Sequence, residues 1–219
     1  MSLTEERAAQ RAEDLAEDLT ALAARDPDIA AALREIGAPD PRIAEPGFET
    51  LLGIILEQQV SVASGKAIRR KLADALGHVT AEAVGAAEDA VLVGCGFSRP
   101  KLRYARILAA EVSEGRLDLD DLERMPDEAA MARLTAITGI GRWTAEIYLM
   151  FVLGRRDIWP APDLALQVAA QHLKGMTARP DARGMDLLAQ NWRPQRSAAA
   201  LLLWRFYRHL RNRPATDAV

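Results

Sequence analysis

Apolar residues along this chain recur at intervals of three and four, and strict apolar–polar alternation is not sustained anywhere. Such spacing gathers an apolar stripe on one side of a helix and offers nothing to a half-buried strand. It predicts an N-terminal helix over 3–24, then a loop, GAPDPRIAEPG, at 37–47. In FETLLGIILEQQ, Phe48, Leu51, Leu52, Ile55 and Gln59 share one stripe of the next helix. Further helices are predicted over 62–76 and 86–93, and from the turn GCGFSRP (94–100) to Glu114. Pro126-Asp127 opens a helix through Ile137, and Trp143 to Leu153 forms another. The two prolines of GRRDIWPAP bar its continuation. A helix from Asp163, a polar loop KGMTARPDARG and a last helix from Pro194 to Arg211 complete the expectation: an all-α chain in two helical lobes.

Composition agrees. Of 219 residues 49% are apolar but only 5% aromatic, with Ala and Leu dominant, as helices prefer. The longest apolar runs, 147–153 and 198–204, are too short to span a bilayer. Glu5, Glu6 and Arg7 make the N-terminus unlike a signal peptide, so a cytoplasmic protein without membrane contact is expected. One cysteine, Cys95, excludes an internal disulfide and an all-cysteine metal or iron–sulfur site. The net charge of −3 argues against nucleic-acid binding by the whole surface, but the charge is uneven. Residues 1–40 hold ten acids and four bases; RPKLRYAR (99–106) holds four bases and no acid; 191–213 holds six arginines and no acid. Each basic run alone reads as a solvated helix face. Together, beside glycine-rich turns, they point to a phosphate-binding face.

Two glycines one residue apart, Gly139 and Gly141, separate two helices. Gly139 tolerates the positive φ that ends the first. Gly141 starts the second, where unpaired N–H groups and the helix dipole face outward and the missing Cβ admits an anion. Arg142 adds charge and Thr144 a hydroxyl. An ordinary tight helix–helix turn carries the same glycines. The longer pattern LTAITGIGRWTAEIYLMFVLGRRDIWPAPDLAL, 134–166, resembles the helix-hairpin-helix DNA glycosylase superfamily. The resemblance extends over roughly 47–210. It implies a six-helix barrel with the hairpin over 47–156, and a second lobe from 1–46 and 157–219 carrying the catalytic aspartate. The active site would lie in the cleft between them. It further implies that Gly139, Ile140, Gly141, Arg142 and Thr144 grip the DNA backbone. A structural Na or K ion at the carbonyls of Thr135, Ile137 and Ile140 is implied too; no other cofactor is expected.

Asp163 falls at the family's catalytic position. Locally it reads as an N-cap, and the two roles are compatible, since a helix N-terminus favours the ionised carboxylate. Beside a sugar, that charge stabilises an oxocarbenium-like transition state and orients a water. Bifunctional members carry a lysine where this chain has Trp143, and no other lysine lies between Lys101 and Lys174. A monofunctional hydrolase is therefore expected. The cysteines of the iron–sulfur branch are missing. Trp143, and Trp204 in RSAAALLLW, resemble the base pocket of the 3-methyladenine DNA glycosylase II group. A third pocket aromatic of that group falls at Ile147, leaving its neighbour Tyr148 as the nearest replacement. Electron-rich rings suit alkylated purines, which are cationic, by about 0.5–2 kcal/mol. Core packing is the alternative reading of both tryptophans.

The partner is then double-stranded DNA with a damaged base, bound by a monomer that starts base excision repair. Base flipping requires something to fill the gap. ILEQQVSV, with Gln58 and Gln59, resembles the segment that abuts the minor groove, and Ser61 and Ser64 are expected on phosphates. GFSRPK resembles the wedge loop, with Arg99 and Pro100; Lys101 and, just after the loop, Arg103 are expected on phosphates. Rival readings are a glycosylase for uracil, mismatched thymine or 8-oxoguanine, a non-catalytic DNA-binding module, and a helical scaffold.

Overall fold

A computed structural model describes residues 3–212; Arg213, the last arginine of the C-terminal basic run, lies outside them. Among the described residues the secondary structure is helical, with no strand. The chain divides into two compact units. Ala44–Leu153 forms one; the segments before and after it together form the other.

The central unit contains α3 (Phe48–Glu57), α4 (Val62–Leu76), α5 (Ala81–Ala86), α6 (Asp89–Gly94), α7 (Arg99–Ser113), α8 (Asp127–Thr135) and α9 (Arg142–Phe151). Helix α3 is its core: Leu51, Leu52, Ile55 and Leu56 are inaccessible to solvent, and α4, α7 and α9 pack around it. The predicted stripe is correct except at its end. Gln59 lies beyond the helix in a left-handed turn at φ 54°, because α3 stops at Glu57. In place of the short helix expected over 86–93 there are two, α5 and α6, separated by two extended residues, Ala87 and Glu88.

The terminal segments supply α1 (Leu3–Arg25), α2 (Pro27–Ile36), α10 (Leu164–Leu173), α11 (Ala182–Leu188) and α12 (Arg196–Asn212). Helix α11 begins inside the predicted polar loop, with the Asp181 side chain capping Gly184 N–H. Helix α12 packs on α10, α2 and α1. Asp26 fastens this unit. It caps α2 through the N–H groups of Asp28 and Ile29 and accepts the Trp192 indole N–H at 2.7 Å. Lys174 Nζ lies 2.7 Å from both of its oxygens. Burial pushes the Asp26 carboxyl up; the bonds from Lys174, Trp192 and Ile29 outweigh it and leave it below the usual value.

A carboxyl depressed in the folded state adds stability that is complete above its unfolded pKa, about 3.9, and is lost as pH falls through the folded value. Asp26→Asn keeps the cap but strips Lys174 of one of its two counter-charges, leaving Asp28 at 2.8 Å. It is expected to cost about 1–3 kcal/mol at pH 7, a penalty that shrinks below about pH 4. Thermal unfolding of both proteins from pH 7 to pH 3 measures this.

Candidate functional site

The hairpin is built inside the central unit. Helix α8 ends at Thr135, Ile140 N–H closes the turn onto Ile137 carbonyl at 3.0 Å, and α9 starts on Gly141. Gly139 has φ 102°, and a Cβ there would meet the Tyr104 ring at 2.5 Å. Backbone conformation and the face of α7 thus both demand glycine. Gly141 differs: its φ of −84° suits any residue, and a Cβ would meet nothing within 4 Å. The fold gives no reason for glycine at 141. The open space in front of it leaves room for an anion to approach the first turn of α9.

Several expected contacts turn inward instead. Gln58 was expected on DNA; its Nε2 donates to Gly139 carbonyl at 3.1 Å and to Thr144 Oγ1 at 2.7 Å. Thr144, also expected on phosphate, is buried. The reason is common to both: the tight turn leaves buried polar groups that must be satisfied locally. Gln58 therefore binds the end of α3 to the hairpin. Lys101, a third expected phosphate contact, is also buried. Its Nζ donates to Leu56 carbonyl at 2.6 Å, one of the last carbonyls of α3, and burial lowers its pKa. Tyr148 cannot line an open base pocket: it is fully buried in the core of the unit, and burial pushes its phenol up to about 12. It follows α9's periodicity inward, one position from Ile147, also buried.

What remains outside is consistent with a binding face. Gln59, Ser61, Ser64, Arg99, Pro100, Arg103, Gly141 and Arg142 are exposed, and Trp143 is half-buried in the first turn of α9. Ser61 caps α4 through Ser64 N–H. Arg99 and Pro100 form the first turn of α7 rather than a loop, with Ser98 as cap. The Arg103 guanidinium lies over Tyr104, the ring against Gly139. Arg142 pairs with the buried Glu146 at 2.8 Å.

Asp163 belongs to the other unit. The segment before it is pinned at several points. Arg156 bonds Asp18 at 2.5 and 3.0 Å, and Ser197 Oγ donates to Arg155 carbonyl and accepts from Ile158 N–H. Trp159 donates to Met185 carbonyl and packs edge-on to Trp192. Asp163 N–H then closes onto Pro160 carbonyl at 2.9 Å. The half-buried carboxylate caps α10, its Oδ1 accepting Leu166 N–H at 3.1 Å. The same oxygen accepts the Trp204 indole N–H at 3.2 Å. Asp163 and Trp204, 41 residues apart, are thus joined by a direct hydrogen bond. A residue missed from sequence joins them: the Arg42 guanidinium lies 5.4 Å from the Trp204 ring centroid. Arg42 came from a loop, GAPDPRIAEPG, that carried no periodicity to aim it.

With hairpin, glycine-started helix and capping aspartate in place, comparison with known proteins defines the class. Residues 52–195 match the family described as HhH-GPD superfamily base excision DNA repair protein, and the chain belongs to that superfamily. It is 31% identical over 162 residues to the alkylbase DNA glycosidase-like protein mag2 of Schizosaccharomyces pombe, covering 72% of this chain and 76% of mag2. It is 38% identical over 109 residues to the putative DNA-3-methyladenine glycosylase YfjP of Bacillus subtilis, covering 50% of this chain but only 38% of YfjP. Among solved structures it resembles the 3-methyladenine DNA glycosylase Mag1 of S. pombe, in complex with abasic DNA. That likeness has a TM-score of 0.80 and 26% identity, over 86% of this chain and 95% of Mag1. No helix among the described residues is long and apolar enough to cross a membrane.

The two hairpin glycines are expected to separate in a stability measurement. Gly139→Ala meets both a forbidden φ and the Tyr104 ring and should cost about 2–4 kcal/mol. Gly141→Ala should cost no more than about 1 kcal/mol. Urea unfolding of the two variants distinguishes them.

Proposed function

We propose that the protein is a monofunctional DNA glycosylase of the DNA-3-methyladenine glycosylase II type, hydrolysing the N-glycosidic bond of alkylated purines in duplex DNA. The observation that carries this reading is the Asp163 carboxylate, at the N-terminus of α10 and hydrogen-bonded to the Trp204 indole, in a chain with tryptophan at the family's lysine position. The names of the relatives support the substrate class.

The chemistry follows from the residues. A ring-alkylated purine is cationic and leaves readily. The C1′–N bond breaks, its electron pair goes to the base, and the base departs neutral. Positive charge builds on the sugar, where the ionised Asp163 stabilises it. Water, oriented by the same carboxylate, adds its oxygen to C1′ and passes a proton to that carboxylate, which releases it to solvent. No lysine amine takes the place of water, so an abasic site remains and the strand stays intact. The strand itself is held at the first turn of α9 in front of Gly141, with Arg142, Arg99 and Arg103 supplying charge.

A Na or K ion at the hairpin belongs to the same reading. Its ligands would be the carbonyls of Thr135, Ile137 and Ile140. An all-oxygen set suits a hard cation, and the Ile137 carbonyl keeps a lone pair after accepting Ile140 N–H. It would stiffen the turn and take no part in hydrolysis.

Asparagine caps helices as well as aspartate, so Asp163→Asn should fold normally yet lose at least about 100-fold in base release from alkylated duplex. It should still bind a duplex with an abasic-site analogue. Wild-type protein that binds this analogue but frees no base from any lesion duplex would instead be a binding module. Borohydride should trap no covalent adduct during turnover; a trapped adduct would make the enzyme bifunctional.

A further inference from the structure

Trp204 is only 9% exposed, too little for a base to stack on it without displacement of something. What stands over its ring is Arg42, with the guanidinium carbon 5.4 Å from the centroid. The neighbours of Trp204 along α12, Leu202, Leu203 and Phe206, are buried. Arg42 is different. It comes from the stretch between α2 and α3, which has no regular secondary structure, and it keeps solvent access. Its surroundings are divided. Packed neighbours and the like charge of Arg208, one turn after Trp204, disfavour its cation, while Asp163 favours it. The indole edge is meanwhile fixed, because its N–H is engaged by Asp163. The ring is tied at its N–H, and its cover is an exposed cation on a stretch without regular secondary structure.

We propose that Arg42 is a specificity-determining residue, which occupies the stacking face of Trp204 and yields it preferentially to a base that brings its own positive charge. The inference rests on the glycosylase reading above. A guanidinium and a ring-alkylated purine are both planar, delocalised cations, so exchanging one for the other preserves the cation–π attraction. A neutral purine must break that attraction and replaces it only by stacking. The difference amounts to about tenfold in favour of the cationic base. Displaced Arg42 swings to water, where it regains hydration and escapes Arg208. Normal purines, flipped in error, meet an occupied ring.

The test compares kcat/KM for release of 7-methylguanine, cationic in DNA, and hypoxanthine, neutral, from otherwise identical duplexes. Wild type, Arg42→Met and Arg42→Lys are used, with thermal unfolding as the check on folding. Arg42→Met should lower the cationic-to-neutral ratio about tenfold, and Arg42→Lys should restore most of it. In the unliganded protein, the Trp204 indole N–H resonance, assigned through Trp204→Phe, should move in Arg42→Met and return toward its place in Arg42→Lys. A ratio unchanged in Arg42→Met, or rates that fall equally on both bases, overturns the proposal and leaves the glycosylase reading intact. An indole resonance that stays in place overturns it as well. Wild type that releases neither base overturns the proposal, and the glycosylase reading falls with it if no other lesion duplex yields a free base.

Discussion

One oxygen atom holds two elements in register. Asp163 Oδ1 accepts the backbone N–H that starts α10 and the indole N–H that α12 presents. The first bond fixes the carboxylate to a helix N-terminus, where the dipole favours the charge that the proposed chemistry needs. The second fixes a large aromatic beside that charge. Neither bond survives a shift in the preceding strand of chain. That strand is accordingly over-determined: Arg156 on Asp18, Ser197 on Arg155 and Ile158, Trp159 on Met185 and against Trp192. Pro160 and Pro162 remove two N–H groups that would otherwise need partners there.

The central unit obeys a related rule. A turn narrow enough to bring backbone amides to an anion cannot hydrate its own carbonyls. Gln58 supplies the missing donor to Gly139 and reaches Thr144 in the same gesture, while Lys101 caps the end of α3. These side chains have the chemistry of nucleic-acid contacts but are consumed in holding the contact elements still. In the proposed function this amounts to preorganisation: a rigid backbone loses less entropy when a strand is gripped. Gln59, Ser61, Ser64, Arg99, Arg103 and Arg142 are left facing solvent, and in the proposed function the outward contacts fall to them.

Much of this was legible in the chain. Helix periodicity, the proline block at 160–162 and the capping aspartate located the elements that carry the site, because these signals are local. Helix α4 was placed at its observed bounds. The errors were also physical. Helices α5, α6 and α11 are too short to complete two turns of pattern. Gln58, Thr144, Lys101 and Tyr148 misled because residue type states what a side chain can do, not which way it points.

The sequence by itself determined the all-helical class, the hairpin with its two glycines, the aspartate at the head of α10 and the tryptophan in place of a lysine. The first three depend on neighbours within a few residues, through backbone dihedrals, caps and helical spacing; the last is what the family resemblance implies. Only the tertiary structure decided that Gly139 is demanded by the Tyr104 ring while Gly141 is not. It alone turned Gln58 and Lys101 inward, joined Asp163 to Trp204, and laid Arg42 over that indole. Those pairings span from 41 to more than 160 positions of chain, and at such separations packing and the need to satisfy buried polar groups choose the partner.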